Sequence, residues 1–257
     1  MTLVAAAVCP HPPLLVAQVG AGEPVAARQP ALAAVHRLRA ANPDLVLVVG
    51  DDPTALATGS RFYGPDAVGD FRGFGVDLRV PLGPPPPGES ATGARPRADA
   101  GAPPLPLSLS VGAWLLAETG WRVARQGLGV SPKVAAAAAA ELGAGLAGDA
   151  GQRVALLVMG DGSARRTVKA PGALDERAEP YDQIVERALA TVDVEALLGL
   201  DVGLAADLLV AGRAAWQVLA GAVRAVGAAG WTAEPLYAEA PYGVGYFVSV
   251  WEPGGAA

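Results

Sequence analysis

Pro43-Asp44-Leu45-Val46-Leu47-Val48-Val49-Gly50-Asp51-Asp52 is a leucine and valine run that stops at Gly-Asp, and Val154-Ala155-Leu156-Leu157-Val158-Met159-Gly160-Asp161-Gly162-Ser163 has the same construction. A continuous apolar run of about six residues bounded by glycine reads as a strand buried on both faces of a sheet. Ligands gather beyond the carboxyl ends of such strands, so both Gly-Asp turns put acids where a site is expected. The opening segment, Leu3-Val4-Ala5-Ala6-Ala7-Val8-Cys9-Pro10-His11-Pro12-Pro13, repeats the design with a histidine at its tip.

Outward from these runs, strand-like and helix-like segments alternate. Residues 30–39 read as a helix with Leu32, Val35 and Leu38 on one stripe, and His36 is assigned to its surface. After a Pro, Gly and Ala-rich stretch at about 84–104, residues 105–109 read as extended, 110–118 as helical and 121–125 as extended. Ser131-Pro132-Lys133 reads as an N-cap followed by proline at N1, opening an alanine-rich helix over 134–146. Residues 181–191, 194–198 and 216–226 read as helices, with Asp193 capping the second. Tyr246-Phe247-Val248-Ser249-Val250-Trp251 reads as a closing strand. Such alternation predicts a three-layer α/β/α sandwich around a central mixed, largely parallel sheet, formed as one domain over residues 1–257. The 84–104 stretch is expected to be a long, mobile surface loop near the site.

The chain has 257 residues with a formal net charge of -6, and 52% of them are hydrophobic. No apolar run reaches the ~18 residues of a membrane span. The N-terminus has no basic region, and prolines at 10, 12 and 13 interrupt the stretch that a signal peptide would continue. A cytoplasmic protein without a membrane segment is expected. The negative charge argues against direct nucleic-acid binding, while Arg165, Arg166 and Lys169 form a local basic cluster able to meet a phosphate or carboxylate. Cys9 is the single cysteine, so neither an internal disulfide nor a thiolate zinc cluster can form. It reads either as a small buried side chain or as a nucleophile paired with His11.

With two histidines in the chain and His36 on a helix, His11 is the one candidate imidazole ligand at a strand tip. Taken in order, the motifs resemble the class III extradiol ring-cleavage dioxygenase superfamily, including its Memo-like members. Cys9-Pro10-His11-Pro12-Pro13-Leu14-Leu15 is similar to the family's first metal-histidine turn, and the run ending at Asp51-Asp52-Pro53 to its second metal strand. Asp99-Ala100-Gly101 before Leu105-Pro106-Leu107 is similar to an Asp-His-Gly segment. Gly160-Asp161-Gly162-Ser163-Ala164-Arg165-Arg166, continuing to Tyr181-Asp182, is similar to a Gly-Asp-x-Ser-His segment and the loop after it.

The resemblance implies Fe(II) held by two His and one Glu, leaving positions for a catechol and O₂. In this sequence His11 fits one ligand, Asp51 or Asp52 would stand in for the other histidine, and Glu239 is the best third candidate, with Glu234 behind it. The two histidines that assist proton transfer and orient dioxygen fall at Ala100 and Ala164. Alanine can do neither, and such acid-base help is worth about 10²–10⁴ in rate. Ring cleavage is therefore not expected. One reading is a module that binds a small molecule, a partner protein or a second copy of itself. A homodimer is plausible by the resemblance. The alternative is a metal-dependent enzyme, a hydrolase or a residual dioxygenase, using one divalent ion (Fe, Mn, Zn or Mg) on His11, Asp51, Asp52 and Glu239. Asp161 and Ser163 would position groups around that ion. Both acids after Gly50 can equally cap their own turn.

Overall fold

Residues 1–23, 25–55, 59–84, 104–147 and 151–254 are described by a computed structural model. Four strands run parallel: β1 (Thr2–Cys9), β2 (Leu45–Asp51), β6 (Ala124–Val130) and β7 (Arg153–Met159). Three more run antiparallel to their neighbours: β3 (Ser60–Tyr63), β8 (Trp231–Glu239) and β9 (Tyr246–Pro253). Together they make a seven-stranded sheet in the order β3-β6-β2-β7-β1-β9-β8, with β4 (Val68–Asp70) and β5 (Arg79–Pro81) as a separate hairpin. β1 thus sits between β7 and β9.

Alternation along the strands assigns each face. Leu45, Leu47 and Val49 of β2, with Leu156 and Val158 of β7, pack in one core cluster; Val46 and Val48, with Leu157 and Met159, pack in the other. The first is covered by α3 (Ala136–Ala147), α4 (Ala178–Thr191), α5 (Val194–Leu198) and α7 (Arg213–Val226). The second is covered by α1 (Arg28–Arg37) and α2 (Leu107–Glu118), and α6 (Val202–Asp207) precedes α7. This is the expected three-layer sandwich. The alanines of β1 are fully buried, so helices approach it closely from both sides.

α3 and α7 touch through glycine. A Cβ on Gly143 would lie 2.0 Å from the Val218 carbonyl oxygen, and one on Gly221 would lie 2.2 Å from that of Ala140. α7 buries two polar residues, Arg213 and Gln217: Arg213 donates to Gln217 Oε1 (2.5 Å) and to the carbonyls of Pro132 (2.7 Å) and Val134 (2.9 Å).

Several elements differ from the sequence reading. The 105–109 segment is the start of helix α2 from Leu107, because Pro106 in an extended conformation launches the helix directly. The strand expected at 121–125 begins at Ala124 and runs to Val130. The helix expected from 134 begins at Ala136; Ser131 instead accepts the Lys133 and Val134 N–H groups in a turn. The 194–198 helix and its Asp193 cap are as expected, Asp193 accepting from the Ala196 N–H. His36 is exposed on α1. Asp99, Ala100 and most of the expected 84–104 loop lie outside the described residues. Among the described residues no helix is long and apolar enough to cross a membrane.

Candidate functional site at the tip of the first strand

β1 ends at Cys9 because prolines follow at 10, 12 and 13 and cannot donate to a ladder. Its two neighbours then meet across the gap. The Gly160 N–H donates to the Cys9 carbonyl (2.9 Å), and Asp161 pairs with Tyr246 in an antiparallel bridge. Beyond it the Gly162 N–H donates to Gly245 (2.7 Å), the Gly245 N–H to Ser163 (2.9 Å), and the Arg166 N–H to Gly243 (3.0 Å). The loop after β7 and the lead-in to β9 therefore close over the end of β1 as a seam. His11 lies against it, 6% exposed. Its backbone N–H donates to Asp161 Oδ1 at 2.8 Å, and its ring Nδ1 stands 3.9 Å from that oxygen with no hydrogen-bond partner. Burial pushes the Asp161 carboxyl above its usual range, opposed by the charge and the N–H of His11.

Asp182, on α4, fastens the seam from below. One carboxylate oxygen accepts the Ser163 N–H and the other the Ser163 hydroxyl, both at 2.8 Å, and Arg166 donates to it at 3.2 Å. A Cβ on Gly162 would lie 2.8 Å from this carboxylate and one on Gly245 would lie 2.5 Å from it, so both loops need glycine to reach it. Burial raises the Asp182 carboxyl, while the Ser163 donors and Arg166 hold it down. Ser163 is thus a fully buried fastening rather than a group facing a ligand. Sequence reading touched Asp182 only through the resemblance. Its signal was available: Asp182, Val185 and Leu189 fall on one helical stripe, and a lone acid on a buried stripe demands partners.

The acids after β2 separate. Asp52, fully buried, accepts from the Thr54 N–H (2.8 Å) and hydroxyl (2.6 Å) on one oxygen and from the Tyr63 hydroxyl (2.8 Å) on the other. It is a turn cap, not a free ligand. Asp51 continues the parity of Leu47 and Val49 and so sits on the α7 face, with Arg213 as its nearby cation. Its Oδ1 has no hydrogen-bond partner. Burial and the Asp52 charge push its carboxyl up to about 7, against Arg213.

Glu239 stands opposite Tyr246 in the β8–β9 register and therefore shares its face, the α1–α2 side. It is exposed and accepts from the Tyr237 hydroxyl at 3.2 Å. The proposed ligands are thus split: His11 in the seam, Glu239 on an edge strand, Asp51 on the opposite face, Asp52 inside its turn. Among the described residues no group of three or more His, Cys, Asp or Glu side chains could hold a metal ion. Asp52, saturated by three donors, and Glu239, two strands from β1, do not fit a facial triad. Cys9 is fully buried and its thiol is pushed up by burial, which suits a core residue and not a nucleophile.

The basic cluster is also divided. Arg165 donates to the Gly172 carbonyl (2.6 Å), and Arg166 is held by Asp182 and Glu179 (3.2 Å each). Lys169 is exposed and has no partner among the described residues. Ala164 donates its backbone N–H to Leu208 (3.0 Å) and accepts the Gly172 N–H (3.0 Å), and its side chain is only a methyl.

No protein-family model matches the chain, and no curated protein matches it. Among solved structures, the chain is similar to that of the uncharacterized protein JW3007 from Escherichia coli K12. The TM-score is 0.57 with 15% identity, over 97% of this chain and 99% of that one. The likeness is one of fold.

Proposed function

We propose that this chain is a class III extradiol dioxygenase-like protein without ring-cleaving chemistry, acting as a module that binds a small molecule at the carboxyl edge of its sheet. The observation that carries the reading is the seam. The His11 backbone N–H is held by Asp161, and Ser163 by Asp182, beneath a continuous run of backbone hydrogen bonds, so the strand tip serves as a rigid platform. Open coordination positions are what oxygen chemistry at a facial triad needs. The residue expected to relay a proton after Ser163 is Ala164, which has no proton to give.

Elemental mass spectrometry on untagged protein reconstituted anaerobically with Fe(II), with His11→Ala alongside, tests this. The expected result is well under one equivalent of metal, unchanged in the variant, and no yellow product from catechol in air. One equivalent of ion that vanishes in His11→Ala, or ring cleavage by the reconstituted protein, would overturn the reading in favour of a metal-dependent enzyme.

A further inference from the structure

Outside the seam, the same two loops form a cleft of about 440 Å³ lined by Thr167, Val168, Lys169, Pro241, Tyr242 and Gly243. Its walls are fixed by the structure beneath them. The Arg166 N–H bond to Gly243 ties one wall to the other, and the Ala170 N–H turns back on Thr167. Gly243 adopts φ +72°, and a Cβ there would lie 2.6 Å from Thr167 Oγ1 and from the Ala170 side chain, so only glycine lets the walls approach. A pre-formed concavity of this volume is in the range that small ligands occupy.

The lining has a definite chemistry. Lys169 is its one cation and none of the six residues is acidic. The Lys169 ammonium and the Thr167 hydroxyl have no partners among the described residues, whereas Arg165 and Arg166 are spent on internal contacts. On the opposite loop Tyr242 is 46% exposed, with its ring edge-on to Tyr246 at 6.4 Å, and between Thr167 and Lys169 the Val168 side chain is 74% exposed. A phenol ring and an open valine thus line the same cleft as the unspent hydrogen-bond donors.

Resting on the binding-module reading above, we infer that this cleft takes a small organic anion, its carboxylate or phosphate on Lys169 and Thr167 and its apolar body against Tyr242 and Val168. Carboxylate and phosphate share the charge and acceptor geometry that Lys169 reads, and a fixed ring surface binds the remainder at low entropic cost.

The test is calorimetric titration with benzoate and with phenyl phosphate, using phenol and inorganic phosphate as half-ligands, and backbone amide NMR to locate the site. Benzoate or phenyl phosphate is expected to bind more tightly than both half-ligands, the stronger of the two naming the anion. Lys169→Gln should weaken it about fivefold and flatten its salt dependence, Tyr242→Ala should weaken it similarly, and shifts should centre on 167–169 and 241–243. Both substitutions are at exposed positions, and an unchanged thermal melt would show the fold intact. Binding that ignores Lys169→Gln, shifts centred elsewhere, or no binding by any of the four compounds overturns the cleft as an anion site. Shifts centred elsewhere would still support a binding module, whereas ring cleavage in the iron assay would sink that reading by itself.

Discussion

Asp51 shows how a single residue reports its surroundings. Its carboxyl is pushed up to about 7, first by burial and then by Asp52, so the folded state prefers it protonated relative to an unfolded chain near 3.8. The stability that preference supplies is fully present below about pH 4 and is lost as pH rises through 7. Asp51→Asn keeps the shape and removes the charge. Its stability should match the parent near pH 4 and exceed it above pH 8, by on the order of 2 kcal/mol after allowance for partial solvent access, with the melting temperature rising accordingly. Thermal melts across that range would check it, and a difference independent of pH would refute it. Asp182 is also raised by burial but, unlike Asp51, has three donors. Asp182→Ala strands the Ser163 N–H and hydroxyl, leaves Arg166 to Glu179 alone, and should cost about 3 kcal/mol in urea unfolding.

Among elements, the α3–α7 contact is the tightest test of packing. Gly143→Ala puts a methyl into the Val218 carbonyl and should destabilise by about 2–4 kcal/mol, because two backbones must separate. Gly145, two residues on and exposed with nothing within 4 Å of its added Cβ, should give the reverse: Gly145→Ala stabilises by about 0.5–1 kcal/mol through helix propensity. Paired denaturant melts decide between them. Neither outcome is readable from the sequence, where both are glycines in an alanine-rich helix. The buried parallel strands were legible, since β2 and β7 are apolar on both faces and stop at Gly-Asp. β3 and β8 were not, because edge strands carry exposed, irregular patterns. At the site, His11 and Asp161 were legible separately as strand-tip residues, but their contact with each other was not, since it is made by the His11 backbone N–H. The role of Asp52 was not decided, since a turn cap and a metal ligand use the same residue type and only the Thr54 and Tyr63 donors settle it.

For the molecule as a whole, the sheet around β1 is closed by β9. β1 pairs with β7, about 150 positions downstream, and with β9, about 240 downstream, so the centre of the sheet is finished late and by non-local contacts. A chain ending at residue 230 would leave β1 as an open apolar edge. It should accumulate as insoluble protein, and a soluble fragment with a cooperative melt would count against this account.

The seam over β1 also has a mechanical meaning. Pulling on the N-terminus loads a strand whose two neighbours are fastened to each other past its tip, by Asp161 on Tyr246 and Gly162 on Gly245. At its Cys9 end β1 therefore meets neighbours that are tied to each other as well as to it. Force applied at Thr2 is shared across both flanking strands and passed through Asp182 into α4, so the molecule should yield in one rupture and not strand by strand.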